Sequence, residues 1–120
     1  MPYVDGFVLP VARRKLAIYR RISRRAGKIW KEMGALEYRE CAGDDMFSKG
    51  TLPFPRMAKA KPGQTVVFSW IVYKSRAHRD RVNAKVMKDA RMLKMMQDPD
   101  LTMFDMKRMA YGGFRVIVDL

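Results

Sequence analysis

The sequence is poor in the residues from which metal and redox sites are usually built. Its 120 residues include one cysteine, Cys41, and one histidine, His78. A lone cysteine excludes an internal disulfide and fits a reducing compartment. A lone histidine leaves little from which to build a zinc site or a catalytic triad, and Gly112-Gly113 lacks the spacing of a dinucleotide-binding loop. We therefore expect neither a metal nor a cofactor.

Long apolar runs are also missing. No stretch approaches the roughly 20 apolar residues of a membrane span, and the first residues lack the basic segment and apolar run of a signal peptide. Hydrophobic residues make up 48% of the chain and charged residues 31%, which is typical of a globular protein. We therefore expect one domain over residues 1–120, located in the cytoplasm, with no membrane span.

Acidic residues are scarce relative to basic ones, which gives a net charge of +13. Residues 13–32 hold nine basic residues and one acidic residue, Glu32. Apolar residues recur there at steps of three and four, which predicts a helix over residues 13–33. Its basic side is a solvated outer face, an anion-binding face or a membrane-surface face, and we favour the first. If it binds nucleic acid, the phosphate contacts would be Arg20, Arg21, Arg24, Arg25 and Lys28.

The remaining patterns predict an alternation of strands and helices. Strands are expected at residues 3–11, 35–42, 56–60, 65–73 and 111–120, and a second helix at 76–90 with Ser75 as its N-cap. Pro62-Gly63 suits a type II turn, so we expect a hairpin between the third and fourth strands. This order predicts an α+β fold, a ferredoxin-like antiparallel sheet with helices on one face. Its other face is apolar, which predicts a homodimer formed through the sheets.

Short segments throughout the chain resemble the YbaA-like family of small uncharacterised bacterial proteins. They are, in order, Tyr3-Val4-Asp5-Gly6-Phe7-Val8, Gly34-Ala35, Glu40-Cys41, Gly43-Asp44-Asp45, Val67-Phe68-Ser69-Trp70-Ile71-Val72, Arg79-Asp80, Lys85-Val86-Met87, Asp89, Arg91-Met92, Phe104-Asp105, Lys107-Arg108-Met109 and Tyr111-Gly112-Gly113-Phe114. The resemblance implies a dimeric α+β barrel, in which two ferredoxin-like sheets pack face to face. It implies no particular reaction. Ala42 stands where that family's pattern commonly has tryptophan, which would enlarge any pocket that the tryptophan lines.

Two carboxylates lie within otherwise apolar strands. Asp5 and Glu40 are costly there unless they are paired or lie in a hydrated cavity. We expect Asp5 to face the open side of the sheet, paired with Arg108. The alternatives are a structural ion pair and the floor of a polar pocket, whose candidate residues are Asp5, Glu40, Ser69, Trp70, Arg79 and Arg108.

Three functions remain open at this point. The first is a homodimeric protein with a small-molecule pocket between sheet and helices, whether or not it is an enzyme. The second is an RNA-associated protein that uses the basic first helix for phosphate contacts. The third is a purely structural or interaction role. No set of residues specifies a reaction, so we assign no catalytic residue.

Overall fold

The computed structural model describes the backbone of residues 1–120 and every side chain except those of Thr102 and Met103. The strands are β1 (Tyr3–Ala12), β2 (Glu37–Ala42), β3 (Gln64–Tyr73) and β4 (Ala110–Arg115). The helices are α1 (Leu16–Glu32), α2 (Phe54–Met57), α3 (Arg76–Lys88) and α4 (Ala90–Met96), and short 3-10 turns lie at Arg13–Lys15, Pro99–Met103 and Met106–Arg108. The strands form one antiparallel sheet in the order β2-β3-β1-β4. This confirms the predicted α+β, ferredoxin-like fold.

The two faces of the sheet differ in what covers them. On the face covered by the helices, β1 and β3 contribute the core residues Leu9, Val11, Ile71 and Tyr73. Asp5 belongs to this face and is only 1% exposed, so the prediction that it faces the open side is wrong. That prediction assumed that the β1 residues on the other face from Asp5 pack against the helices, because their side chains are small. It failed because an ion pair with a helix residue makes the covered side tolerable for a carboxylate.

The opposite face is apolar and largely open, as predicted. Phe114 is 61% exposed and Phe68 42% exposed, and Trp70 lies between buried and exposed. One end is covered, where the Phe54 ring of α2 lies 6.0 Å from the Phe68 ring. Cys41 is exposed on the outer strand β2.

Three predicted boundaries are corrected. Residues 56–60 form no strand, because a single helical turn begins at Pro53-Phe54 and Ala58 N donates to Phe54 O at 2.8 Å. The last strand ends at Arg115 rather than Leu120, because its partner β1 begins at Tyr3. The second predicted helix, 76–90, ends at Lys88 as α3, and an additional helix, α4, follows the extended backbone at Asp89. The turn at Pro62-Gly63 is present, with Gln64 N donating to Lys61 O at 3.0 Å.

Helix α1 has the predicted amphipathic pattern. Ile22 and Ile29 are buried against the sheet, and α1 lies beside β2 at the outer edge of the sheet. The five predicted anion contacts, Arg20, Arg21, Arg24, Arg25 and Lys28, are all exposed. In the described part of the chain, no helix is both long and apolar enough to cross a bilayer.

Candidate functional site

Asp5 is paired with an arginine from the opposite layer. Arg79, in the first turns of α3, donates from Nη1 to Asp5 Oδ1 at 3.2 Å. The side chains are 14% and 1% exposed. The same Nη1 lies 2.8 Å from the Tyr111 hydroxyl oxygen, and the guanidinium carbon lies 5.0 Å from the centre of the Tyr3 ring. Arg79 therefore ties α3 to β1 and β4.

Further polar groups surround this pair. Burial raises the pKa of Asp5, while the attraction of Arg79 and hydrogen bonds from Asn83, Tyr111 and Tyr73 oppose the rise. Asn83 also accepts hydrogen bonds at 3.1 Å from Tyr73 Oη and from the indole of Trp30. Burial and the Asp5 carboxyl raise the pKa of Tyr73 and of Tyr111, so both phenols remain neutral donors. The members of this network hydrogen-bond mainly to one another, but the buried Arg79 Nε has no hydrogen-bond partner among the described residues and lies 3.0 Å from Asp80 Oδ1 only as an ion pair.

The six candidate pocket residues do not form one site. Trp70 points to the open face, since neighbours on a strand alternate, and its indole donates to Glu37 Oε1 at 3.0 Å. Arg108 donates to the Ala58 carbonyl at 3.3 Å. It is not the partner of Asp5, because the register places Asp5 opposite Gly113, well along β4 from Arg108. Ser69 is buried on the helix side, opposite Glu40.

Glu40 is the centre of a second polar group. Tyr19 of α1 donates its hydroxyl to Glu40 Oε1 at 2.8 Å, and Tyr38 of β2 donates to Oε2 at 2.7 Å. Burial and the Glu40 charge raise the pKa of both tyrosines. Glu40 and Asp5 lie on strands separated by β3, about 10 Å apart across the sheet. The two carboxylates therefore belong to separate clusters.

A cleft of about 570 Å³ opens above Glu40, between α1 and β2. We call it the α1–β2 cleft; it is lined by Arg20, Ser23, Arg24, Gly27, Lys28, Lys31, Glu32, Tyr38 and Glu40. A smaller cavity of about 200 Å³ shares Arg20, Ser23 and Glu40 with it and extends to Tyr19, Cys41 and Ala42. A cleft of this volume is in the range of small-molecule sites.

The wall that α1 contributes is strongly basic. Arg20, Arg24, Lys28 and Lys31 recur at steps of three and four along α1, so all four lie along this wall of the cleft. Among the described residues, Arg20, Arg24 and Lys28 have no carboxylate within ion-pair distance. Arg21, by contrast, pairs with Asp100 at 2.6 Å. Three of the five predicted anion contacts therefore line one cleft, while Arg21 and Arg25 lie outside it.

Glycine at position 27 shapes the floor of the cleft. A Cβ atom there would lie 2.6 Å from Cδ1 and Cε1 of Tyr38, closer than any van der Waals contact. Its absence allows the Tyr38 ring to lie directly against α1. The sequence patterns did not single out Tyr19, Ser23, Gly27, Lys31 or Tyr38, because their roles depend on the packing of α1 against β2.

The remaining candidate groups form no site. His78 Nδ1 accepts from Lys74 N at 2.9 Å, and burial and nearby cations lower its pKa. In the part of the chain that the structure describes, no three His, Cys, Asp or Glu side chains are placed to share a metal ion.

Comparison with known proteins decides the family. A family model described as a protein of unknown function (DUF1428) matches residues 2–112. The chain belongs to this family. Uncharacterized protein YbaA from Escherichia coli K12 is 42% identical over 119 residues, covering 99% of each chain. YbaA from Shigella flexneri shows the same identity and coverage. The predicted family resemblance is confirmed, and both relatives are described as uncharacterized.

Solved structures share the fold of this DUF1428 protein at low sequence identity. A dimeric ferredoxin-like protein from an uncultured marine organism superposes with a TM-score of 0.60 and 13% identity, covering 100% of both chains. A variant of SnoaB, a cofactor-independent oxygenase from Streptomyces nogalater, gives a TM-score of 0.57 at 13% identity, over 99% of this chain and 94% of the other. This level of likeness supports the ferredoxin-like fold and lends nothing to a nucleic-acid function.

Proposed function

We propose that this protein is a cytoplasmic homodimer in which each protomer binds a small organic anion in the α1–β2 cleft. The observation that supports binding most is the grouping of Arg20, Arg24 and Lys28 around one concave site, where none of the three has a carboxylate partner within the described part of the chain. Cations held close together repel one another. An anionic ligand relieves that repulsion and gains charge-assisted hydrogen bonds.

The open sheet face supports the homodimer. Phe68, Trp70 and Phe114 form an exposed apolar patch on it, and such patches are costly in water unless a partner covers them. A second copy of the same face is the simplest cover, since isologous contacts are the commonest in soluble oligomers. The exposed thiol of Cys41 suits the reducing cytoplasm.

Nucleic-acid binding is the alternative for the basic helix. Nucleic-acid contacts follow an extended backbone and depend on total charge, so Arg21, Arg25 and the cleft residues would contribute alike. The cleft instead separates Arg20, Arg24 and Lys28 from the other two arginines. A small organic anion therefore fits the distribution of charge better.

Titration calorimetry with 2-naphthoate tests the binding proposal. This aromatic carboxylate fits the cleft volume, and we expect saturable binding with a Kd below about 1 mM. Arg24→Gln should weaken binding about tenfold, as expected for the loss of one charged hydrogen bond. Arg25→Gln, the matched control one residue along α1, should change the Kd less than about twofold.

The same variants separate the alternatives. No saturable binding, or equal weakening in both variants, contradicts a site in the α1–β2 cleft. If a short single-stranded RNA binds at about 150 mM salt and both variants weaken it equally, the nucleic-acid function replaces the proposal.

A further inference from the structure

The floor of the α1–β2 cleft offers hydrogen-bond acceptors. Each tyrosine hydroxyl carries one proton, and Tyr19 and Tyr38 both direct theirs at Glu40, to Oε1 at 2.8 Å and to Oε2 at 2.7 Å. What remains free is lone pairs on the two carboxylate oxygens and the Tyr38 phenol oxygen, which line the cleft, and on the Tyr19 phenol oxygen in the adjoining smaller cavity. A ligand group that reaches the floor must therefore bring its own proton.

Both tyrosines hold this arrangement through the neutral pH range. Burial and the Glu40 charge raise the pKa of Tyr19 and of Tyr38, so neither phenol ionises under ordinary conditions. The two donated hydrogen bonds also fix the plane of the Glu40 carboxylate, since each of its oxygens is held from a different element. The acceptor floor is therefore rigid as well as polar.

The wall of the cleft has the opposite character. Arginine and lysine side chains are donors only, and Arg20, Arg24 and Lys28 face the cleft without a carboxylate partner among the described residues. The three residues span eight positions of α1, which is about 12 Å of helix. The cleft thus has a long donor wall beside a compact acceptor floor.

We propose that the ligand of the α1–β2 cleft is a hydroxylated organic anion, whose acidic group binds the Arg20, Arg24 and Lys28 wall and whose hydroxyl donates to Glu40. This inference rests on the proposed function and adds the chemical class of the ligand. A hydroxyl suits the floor better than an ammonium group, because three nearby cations repel a positive charge. The Tyr38 ring, exposed to the cleft beside Gly27, suits a flat ring between the two polar groups.

The test compares two probes that differ by one hydroxyl, 6-hydroxy-2-naphthoate and 2-naphthoate. In the wild-type protein we expect titration calorimetry to give at least about tenfold tighter binding of the hydroxylated probe, because its hydroxyl donates to a charged acceptor. Equal affinities, or weaker binding of the hydroxylated probe, overturn the inference and leave the proposed function standing. Failure of both probes to bind contradicts the proposed function itself.

Two variants locate the hydroxyl. Glu40→Gln should reduce the preference for the hydroxylated probe, measured as the ratio of the two Kd values in the same variant, to less than about twofold, because only the hydroxyl contacts Glu40. Tyr19→Phe should keep the preference, since Glu40 Oε1 then gains a free acceptor position. A preference that survives Glu40→Gln in a folded variant places the hydroxyl elsewhere and overturns the inference. If Glu40→Gln does not fold, the preference of the wild-type protein for the hydroxylated probe and the preference of Tyr19→Phe still test the inference.

Discussion

Arg79 on α3 reaches across the core to Asp5 on β1, with Nη1 and Oδ1 3.2 Å apart. The two residues are 74 positions apart in the chain, and the carboxylate is almost completely removed from water. A buried carboxylate is costly without a neighbouring cation, so the presence of Arg79 accounts for the burial of Asp5. The pair joins the helix layer to the centre of the sheet, away from the α1–β2 cleft.

Removing the cation should strongly destabilise the protein. We expect Arg79→Gln to lower the free energy of unfolding by about 3 kcal/mol at pH 7, because it leaves Asp5 buried without its countercharge. Arg21→Gln is the matched control: Arg21 pairs with Asp100 at 2.6 Å, but the two side chains are 58% and 40% exposed, so solvent screens the pair and the loss should be much smaller. Urea denaturation followed by circular dichroism measures both. Similar losses in the two variants would show that Arg79 contributes no more than a surface pair.

Asp5 should make stability depend on pH in a definite direction. Its folded-state pKa is raised above the ordinary value of 3.8, chiefly by burial, so the folded protein binds this proton more tightly than the unfolded chain. The stability contributed by protonation is complete below about pH 3.8 and is lost as the pH rises through the raised pKa. Asn cannot titrate. Asp5→Asn should therefore cost more stability near pH 4 than near pH 7.

The measurement is urea denaturation of wild type and Asp5→Asn at several values between about pH 4 and pH 7. At neutral pH we expect the variant to lie within about 1 kcal/mol of wild type, because Asn keeps part of the hydrogen bonding. A difference that widens towards neutral pH would mean that Arg79 lowers the pKa of Asp5 below its ordinary value.

Gly27→Ala should destabilise the protein, although alanine favours helices. Alanine gains about 1 kcal/mol of helix propensity, but its Cβ would lie 2.6 Å from the Tyr38 ring, and overpacking costs about 1–3 kcal/mol. We expect a net loss of about 1 kcal/mol together with weaker binding of 2-naphthoate, because Tyr38 must move towards the cleft. In a Tyr38→Ala background the same change should be stabilising. If the effect of Gly27→Ala is the same in both backgrounds, Tyr38 is not the obstacle.

Phe114→Arg should dissociate the proposed homodimer. Phe114 is 61% exposed on the open sheet face, and two copies of an added charge would face each other or be buried in the interface. Sedimentation should give twice 14.0 kDa for wild type and a monomer for the variant. Leu93→Arg on α4, where the side chain is 49% exposed, is the control and should stay dimeric. A monomeric wild type, or a dimeric Phe114→Arg, contradicts an interface through this face.

Periodicity was enough to predict most elements and insufficient to predict their faces. Alternation over residues 65–73 and the helical spacing of Ile22 and Ile29 located β3 and α1 closely, because each repeats the same local contacts along the chain. Residues 56–60 were predicted as a strand because the apolar residues there carry no period long enough to separate a strand from one helical turn. The face of Asp5 could not be predicted, since a carboxylate is placed by its countercharge rather than by hydropathy.

Part of the candidate site could likewise be predicted from the sequence, and part depends on how the elements pack. The charge of α1 is visible in the sequence, and three of the five predicted anion contacts line the α1–β2 cleft. Trp70 was grouped with Asp5 because it lies on the central strand, and Arg108 because it lies just before the last strand. Strand alternation and the β1–β4 register separate both residues from Asp5. Tyr19, Tyr38 and Glu40 meet only because α1 packs against β2.

Sequence patterns alone predicted the family, four of the five expected strands, the basic face of α1 and the apolar open face of the sheet. These properties depend on neighbouring residues, and local periodicity and composition record them directly. The pairing of Arg79 with Asp5, and the two tyrosine hydroxyls that donate to Glu40 beside a basic wall, could be seen only in the folded chain. Such contacts join residues far apart in the chain, where register and helix packing, rather than local pattern, determine which side chains meet.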